Sequence, residues 1–86
     1  MTWLSSFEGR LLKSLRTPQH RELLSRLVKA RRKANLSQQD LADRLDRNQS
    51  FVAKYEGGER RLEVIEFVQI CRAIGVAPEL LLRKLP

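Results

Sequence analysis

Apolar residues in this chain recur at intervals of three and four, and residues that end helices repeatedly interrupt the pattern. This spacing is typical of amphipathic helices, whereas half-buried strands require strict alternation of apolar and polar residues. The sequence contains no alternating runs and no Asn-Gly or Asp-Gly hairpin turns. A chain of 86 residues has room for one small domain. We therefore predict an all-α domain built from several short helices.

A boundary is predicted at Thr17 and Pro18, where a capping residue precedes a proline at the first helical position. Residues 1–17 are predicted to form an N-terminal amphipathic extension, and residues 18–86 the main domain. The extension has an apolar half made of Trp3, Leu4, Phe7, Leu11, Leu12 and Leu15. This half could dock on the same chain, contact a second copy, or lie on an anionic membrane. Its short length and the interrupting Glu8 argue against the membrane.

The main domain is expected to begin with a helix from about Gln19 to Ala34. Two short helical patterns follow, one opened by Ser37 and one running from Gln49 to Glu56. Each is too short to be stable alone, and only the polar joint Asp46-Arg47 connects them. Two short helices with a tight joint are the pattern of a helix-turn-helix. This motif is predicted at about residues 37–56.

Two further helices are predicted after Gly57 and Gly58. The first runs from about Glu63 to Ile74 and ends at Gly75, and the second begins at Pro78. The core-facing arc of the first is expected to hold Val64, Phe67, Val68, Ile70, Cys71 and Ile74.

The charge of the chain is strongly basic. Seventeen lysine and arginine residues against ten acidic residues give a net charge of +7. Residues 1–34 hold nine basic and two acidic side chains, whereas residues 35–86 hold eight of each. A basic small protein most simply binds a polyanion, usually nucleic acid. The alternative is that the charge only keeps the protein in solution.

Residues 49–56 divide into two arcs on a helical wheel. The apolar arc holds Phe51, Val52 and Tyr55, and the opposite arc holds Gln49, Ser50, Ala53 and Lys54. Glutamine can pair with adenine, lysine can donate to guanine, serine suits either base, and an alanine methyl can touch thymine. The core does not need this second arc, so it either faces water or reads base edges.

The pattern of residues 20–82 resembles the lambda-repressor/Cro (Xre-type) helix-turn-helix family of DNA-binding proteins. The residues that carry the resemblance are Leu23, Leu27, Arg31, Leu36, Ser37, Gln38, Leu41, Ala42, Val52, Tyr55, Glu56, Gly58, Ile74, Gly75 and Val76. The resemblance implies a five-helix domain whose third helix lies in the major groove. It also implies an ion pair between Arg31 and Glu56, although Arg31 could instead contact a phosphate.

The resemblance also implies particular DNA contacts. Base contacts are expected from Gln49, Ser50, Ala53 and Lys54. Phosphate contacts are expected from Gln38, Arg47, Asn48, Gly57, Arg60 and Arg61. Gln38 has independent support, because it lies in the first turn after the Ser37 cap, where free N–H groups favour an anion. Four positions depart from the family pattern. Asp46 and Arg47 replace the usual glycine and small apolar residue of the turn. Asn35 replaces the glycine after the first helix, and Leu62 replaces the proline after the loop. Arg47 could contact a phosphate or be solvated.

Other classes of function have little support in the sequence. With one cysteine, Cys71, and one histidine, His20, an internal disulfide is impossible and a metal site within one chain is not expected. Cys71 is expected to be a packed, inert thiol and not a redox sensor, and His20 a surface residue. No nucleophile–base pair or carboxylate pair is visible, so we expect neither an enzyme nor a cofactor. No apolar run is long enough to span a membrane, and a cytoplasmic, nucleoid-associated location is expected.

These features predict a sequence-specific regulator of transcription that binds double-stranded DNA. The expected form is a bacterial or phage-type repressor that acts as a homodimer on a near-palindromic operator. The alternative is an antitoxin or adaptor that uses the same fold as a protein-interaction module, with a protein partner bound through the N-terminal helix.

Overall fold

The computed structural model describes residues 17–86, so the predicted N-terminal helix lies outside the described residues. Within this range the chain forms five α-helices and no strands. The helices are α1 (Pro18–Lys33), α2 (Gln38–Leu45), α3 (Gln49–Glu56), α4 (Val64–Ile74) and α5 (Pro78–Leu82). The predicted all-α fold with five helices is confirmed.

Local sequence signals begin the helices where they were expected. The Thr17 hydroxyl accepts a hydrogen bond from the His20 N–H at 3.1 Å, and Pro18 occupies the first helical position. Ser37 and Asp40 form a reciprocal capping box, with bonds of 2.9 and 3.0 Å. Such caps satisfy N–H groups that have no partner inside the helix.

The turn between α2 and α3 keeps its tight geometry without a glycine. Asp46 adopts the left-handed conformation with φ of 54°, which aspartate tolerates better than most residues. The Arg47 N–H then donates to the Ala42 carbonyl at 2.9 Å. Asn35 likewise has a positive φ of 60° after α1. The departure at Asp46 therefore leaves the turn intact.

All five helices contribute to one hydrophobic core. Its fully buried large side chains are Leu27, Leu41, Val52, Tyr55, Ile70 and Cys71. The short helices α2 and α3 would not be stable alone. Packing against α1 and α4 in this core stabilises them.

Long arginine side chains also cap the ends of two helices. Arg44 of α2 donates to the Ala73 carbonyl near the end of α4 at 2.8 Å. Arg26 of α1 donates to the Leu81 carbonyl of α5 at 3.0 Å and to the Arg83 carbonyl beyond it. Both satisfy carbonyls that lack partners at a helix C-terminus.

Two expectations about burial were wrong. Val64 is 75% exposed, because it is the first residue of α4, and the charged Glu66 is buried in this turn instead. His20 is half-buried and not a surface residue, because it lies in the first turn of α1 near Arg61. Burial and the Arg61 charge lower the pKa of His20.

Candidate nucleic-acid interface

The two arcs of α3 are separated by burial as the sequence predicts. Phe51, Val52 and Tyr55 are buried, while Gln49, Ser50 and Lys54 are exposed and Ala53 is half-buried. The buried side chains fix α3 against the core. The opposite arc forms a polar surface with one small residue at its centre, and this combination suits close approach to a groove.

A buried ion pair fixes the C-terminal end of α3 to α1. Arg31 Nε lies 2.7 Å from Glu56 Oε2, and Arg31 Nη2 lies 3.0 Å from Glu56 Oε1. The two side chains are only 8% and 6% exposed. Arg31 also donates to the Leu36 carbonyl at 2.7 Å. The hydrogen bond to Glu56 raises the pKa of Arg31, and the two-pronged contact holds the end of α3 in one orientation.

A chain of amide hydrogen bonds leads from this ion pair to the polar arc. Gln38 Nε2 donates to Glu56 Oε1 at 3.0 Å. Gln49 Nε2 in turn donates to Gln38 Oε1 at 2.7 Å. The ion pair and these two bonds are called the glutamine relay below, and its members are Arg31, Glu56, Gln38 and Gln49. The relay orients the exposed amide of Gln49 from the protein interior.

The start of α2 presents donors on the same side as the relay. The capping box satisfies the N–H groups of Ser37 and Asp40, whereas those of Gln38 and Gln39 precede the first intrahelical hydrogen bond, made by Leu41. Asn48 is the N-cap residue of α3, but its side chain makes no capping bond. Among residues 17–86 its amide has no hydrogen-bond partner, so within this part of the chain it can contact a ligand.

A second polar cluster surrounds the buried Glu66. Arg60 donates to both carboxylate oxygens at 2.9 and 2.8 Å, and Arg47 donates to Oε2 at 2.9 Å. The guanidinium carbons of Arg47 and Arg60 also lie 4.2 and 4.7 Å from the centre of the Phe51 ring. Hydrogen bonds from Arg60, from the Glu63 N–H and from Arg47 lower the pKa of Glu66 to about 2. These residues, Arg47, Phe51, Arg60 and Glu66, are called the arginine cluster below.

Glu66 was not among the predicted site residues. Arg47 was expected to contact a phosphate or solvent, and not a carboxylate. One signal was available: Glu63 and Glu66 have the spacing of a capping box, and the Glu63 N–H does donate to Glu66 at 3.2 Å. That signal would have placed Glu66 in the first turn of α4, without identifying the two arginines.

The loop after α3 depends on two glycines. A Cβ atom at Gly57 would lie 3.1 Å from the Ala53 carbonyl oxygen, and Gly58 has a positive φ of 75°. The tight turn at Gly57 and Gly58 places Arg60 over the ring of Phe51, whereas Arg61 is exposed. The structure thus brings the predicted phosphate contacts Gln38, Asn48 and Gly57 close to the ends of α3.

The remaining polar groups of the described chain suggest no other chemistry. Burial raises the pKa of the Cys71 thiol to about 11, which makes it unreactive at neutral pH. Within residues 17–86 no group of three or more His, Cys, Asp or Glu side chains could hold a metal ion. None of the helices α1 to α5 is both long and apolar enough to cross a membrane.

Comparison with known proteins agrees with this geometry. A family model described as a helix-turn-helix domain matches residues 22–83. A solved structure, the XRE-family like protein from Pseudomonas syringae pv. tomato str. DC3000, is 49% identical. That match covers 85% of this chain and 89% of the other, with a TM-score of 0.78. No curated protein matches the chain. The chain belongs to the Xre-type helix-turn-helix family.

Proposed function

We propose that this protein is a non-enzymatic regulator of transcription that reads double-stranded DNA by inserting α3 into the major groove. The observation that carries the proposal is the oriented amide of Gln49 at the end of the glutamine relay. A side chain that only faced water would need no such support. A base-reading amide gains from it, because less conformational entropy is lost on binding.

The bonds within the relay leave Gln49 able to recognise adenine. One hydrogen of Nε2 is used on Gln38, while the second hydrogen and the Oε1 lone pairs point to no protein partner within residues 17–86. Adenine offers an acceptor at N7 and a donor at N6. The free hydrogen and Oε1 of Gln49 match these two groups, so a bidentate contact is stereochemically available.

The rest of the polar arc supplies a base-reading set. Lys54 is exposed, and it makes no hydrogen bond or ion pair with residues 17–86. It can therefore donate to guanine. Ser50 can donate to or accept from a base edge, and the Ala53 methyl can contact thymine.

Contacts to the DNA backbone would fix the register of α3. Gln38 keeps one amide hydrogen for a phosphate after bonding to Glu56, and the free N–H groups at the start of α2 favour the same anion. Asn48, the Gly57 region, Arg47, Arg60 and Arg61 complete the proposed phosphate contacts. Such contacts position a protein on the duplex without reading sequence.

We further propose a homodimer that occludes a promoter by binding a near-palindromic operator. Two recognition helices related by twofold symmetry would read half-sites one helical turn apart, about 34 Å. Exposed apolar side chains support an association surface: Leu80 and Leu82 on α5 are 53% and 47% exposed. A regulator acting in this way would be nucleoid-associated in the cytoplasm.

The test is selection of bound duplexes from a random pool at roughly physiological salt, where nonspecific phosphate contacts are weakened. An enriched inverted repeat with one-turn spacing is expected. The Gln49→Ala variant should lose preference at one position of each half-site, at a cost of about 1–3 kcal/mol. Gln69→Ala, an exposed glutamine on α4, is the matched control and should select the same sequence as the wild type.

Failure to enrich any sequence would contradict the proposal. It would favour the rival function, in which the fold is a protein-interaction module of the antitoxin or adaptor kind. Enrichment of a single half-site, without the inverted repeat, would contradict only the dimer.

A further inference from the structure

We propose that Glu66 and Phe51 are positioning residues that join Arg47 and Arg60 into one receptor for a single DNA phosphodiester. This inference rests on the proposed function and deepens it. It assigns a role in sequence selectivity to Glu66, a carboxylate that contacts no base and would repel DNA if it acted alone.

The two arginines reach the cluster from opposite ends of the recognition helix. Arg47 lies in the turn that precedes α3, and Arg60 lies in the loop that follows it. They converge because Glu66 Oε2 accepts from both, at 2.9 and 2.8 Å. Both guanidinium groups also lie over the ring of Phe51, a buried residue of α3 itself. The positions of the two cations are therefore tied to the position of α3.

The charge of the cluster fits a monoanion. Two guanidinium groups and one carboxylate leave a net charge of +1. Glu66 is ionised at neutral pH, because the hydrogen bonds from Arg60 and Arg47 lower the pKa of its carboxyl group to about 2. A phosphodiester carries one negative charge and would balance the remaining positive charge.

The hydrogen bonds within the cluster also leave donors for a ligand. A guanidinium has five N–H groups. Arg47 uses one of them on Glu66, and Arg60 uses three on Glu66 and the Arg61 carbonyl. The remaining donors have no hydrogen-bond partner among residues 17–86, and the Arg47 and Arg60 side chains are 42% and 36% exposed. An open depression lined by two arginines and two glutamates, Arg60, Arg61, Glu63 and Glu66, borders the cluster.

Rigid placement of these donors has a consequence for selectivity. A phosphate held by this receptor fixes the distance between the DNA backbone and α3, because Phe51 belongs to the helix that carries the base-reading side chains. Only a duplex with matching bases can then satisfy the receptor and the polar arc together. Mobile arginines would contact phosphates on any duplex. Glu66 thus favours the correct site over other sequences.

The experiment measures the affinity of the full-length protein for two duplexes, the selected operator and a scrambled sequence, at several salt concentrations. The main variant is Glu66→Gln, which keeps the size of the side chain and removes its charge. The expected result is operator affinity lowered roughly tenfold, a typical effect within one ion-pair network, with scrambled-duplex affinity unchanged or higher. Arg72→Ala, an exposed arginine on α4, is the control and should change the ratio little.

Arg47→Ala, Arg60→Ala and the double variant test whether the arginines share one phosphate. The slope of log affinity against log salt becomes shallower by about 0.9 for each phosphate that the protein no longer neutralises. If the arginines share one phosphate, the double variant should differ from the wild type by about one such step. A difference of about two steps would show that each arginine binds its own phosphate, and it would overturn the proposal.

A second variant tests the proposal independently, in case Glu66→Gln does not fold. The double substitution of Arg47 and Arg60 by lysine keeps both charges and removes the planar forks, so it should lower the operator-to-scrambled ratio as Glu66→Gln does. Tighter binding of Glu66→Gln to both duplexes by the same factor would reveal only a change in net charge and overturn the proposal. If the wild type binds neither duplex, the proposed function itself fails.

Discussion

Two glutamates with buried side chains hold α3 in place in different ways. Glu56 pairs with one arginine, and both partners are almost fully shielded from solvent. Glu66 receives two arginines whose outer edges remain in water. Glu56 accepts a hydrogen bond from the neutral amide of Gln38, which in turn accepts one from Gln49 at the surface. The arrangement at Glu66 presents positive charge at the surface, held in place by a carboxylate.

The contrast shows that the same residue type can hold side chains in place in two ways. The glutamine relay orients the Gln49 amide, which we propose reads base edges. The arginine cluster holds Arg47 and Arg60, which we propose contact the phosphate backbone. Four predictions test this distinction, from the largest expected effect to the smallest.

Removing the charge partner of Arg31 should have the largest effect on stability. Glu56→Ala leaves the buried guanidinium unpaired, and the expected loss in the free energy of unfolding is about 3–5 kcal/mol. Urea denaturation at neutral pH measures it. The double variant Arg31→Met with Glu56→Ala should be less destabilised than Glu56→Ala alone, because no unpaired charge is left. A loss below about 1 kcal/mol would show that Glu56 does not neutralise a buried charge, and the contrast with Glu66 would not hold.

The arginine cluster should impose a distinct pH dependence on stability. The folded-state pKa of Glu66, about 2, lies below its usual value of 4.5. The stabilisation is therefore complete above pH 4.5 and is lost as pH falls through about 2. Its upper limit is about 3 kcal/mol, and exposure of the arginines lowers it. The difference in unfolding free energy between wild type and Glu66→Gln should be largest above pH 5 and vanish near pH 2. A difference that is constant with pH would contradict the assignment.

The glutamine relay should couple two residues in DNA affinity. Gln38→Ala removes a proposed phosphate contact and also the hydrogen bond that supports the Gln49 amide. It should therefore weaken operator binding and relax selectivity at the base that we propose Gln49 reads. A double-mutant cycle with Gln49→Ala should give a coupling energy of about 0.5–3 kcal/mol. Additive effects would mean that the relay does not orient Gln49. Gln39→Ala is the matched control on α2.

The smallest effect is expected at Tyr55. Its hydroxyl is buried and has no hydrogen-bond partner among residues 17–86, although it belongs to the same helix as the fully paired Glu56. Burial raises the pKa of this phenol. Since an unpaired buried hydroxyl costs free energy, Tyr55→Phe should be neutral or stabilising by about 1 kcal/mol. A clear loss in thermal denaturation would reveal a hidden partner.

Much of the fold was predictable because its signals are local. The Ser37 cap, the left-handed Asp46 and the two arcs of α3 each depend on a few neighbouring residues. The Arg31–Glu56 pair was implied by the family resemblance. The arginine cluster was not predictable, because it joins residues from a turn, a loop and a helix that only the folded chain brings together. Val64 was misjudged because an apolar residue at the start of a helix need not face the core.

The division of α3 into a buried apolar arc and an exposed polar arc has a consequence for how the sequences of such proteins change in evolution. Ser50 and Lys54 are exposed, and their side chains make no hydrogen bond or ion pair with residues 17–86. Either can therefore change without loss of a contact within this part of the chain. Gln49 is different, because replacing it leaves Gln38 without its partner. Drift in target preference is therefore expected to begin at Ser50 and Lys54. A change at Gln49 should be inherited together with a compensating change at Gln38, and a library built to retarget the protein should vary these two positions jointly.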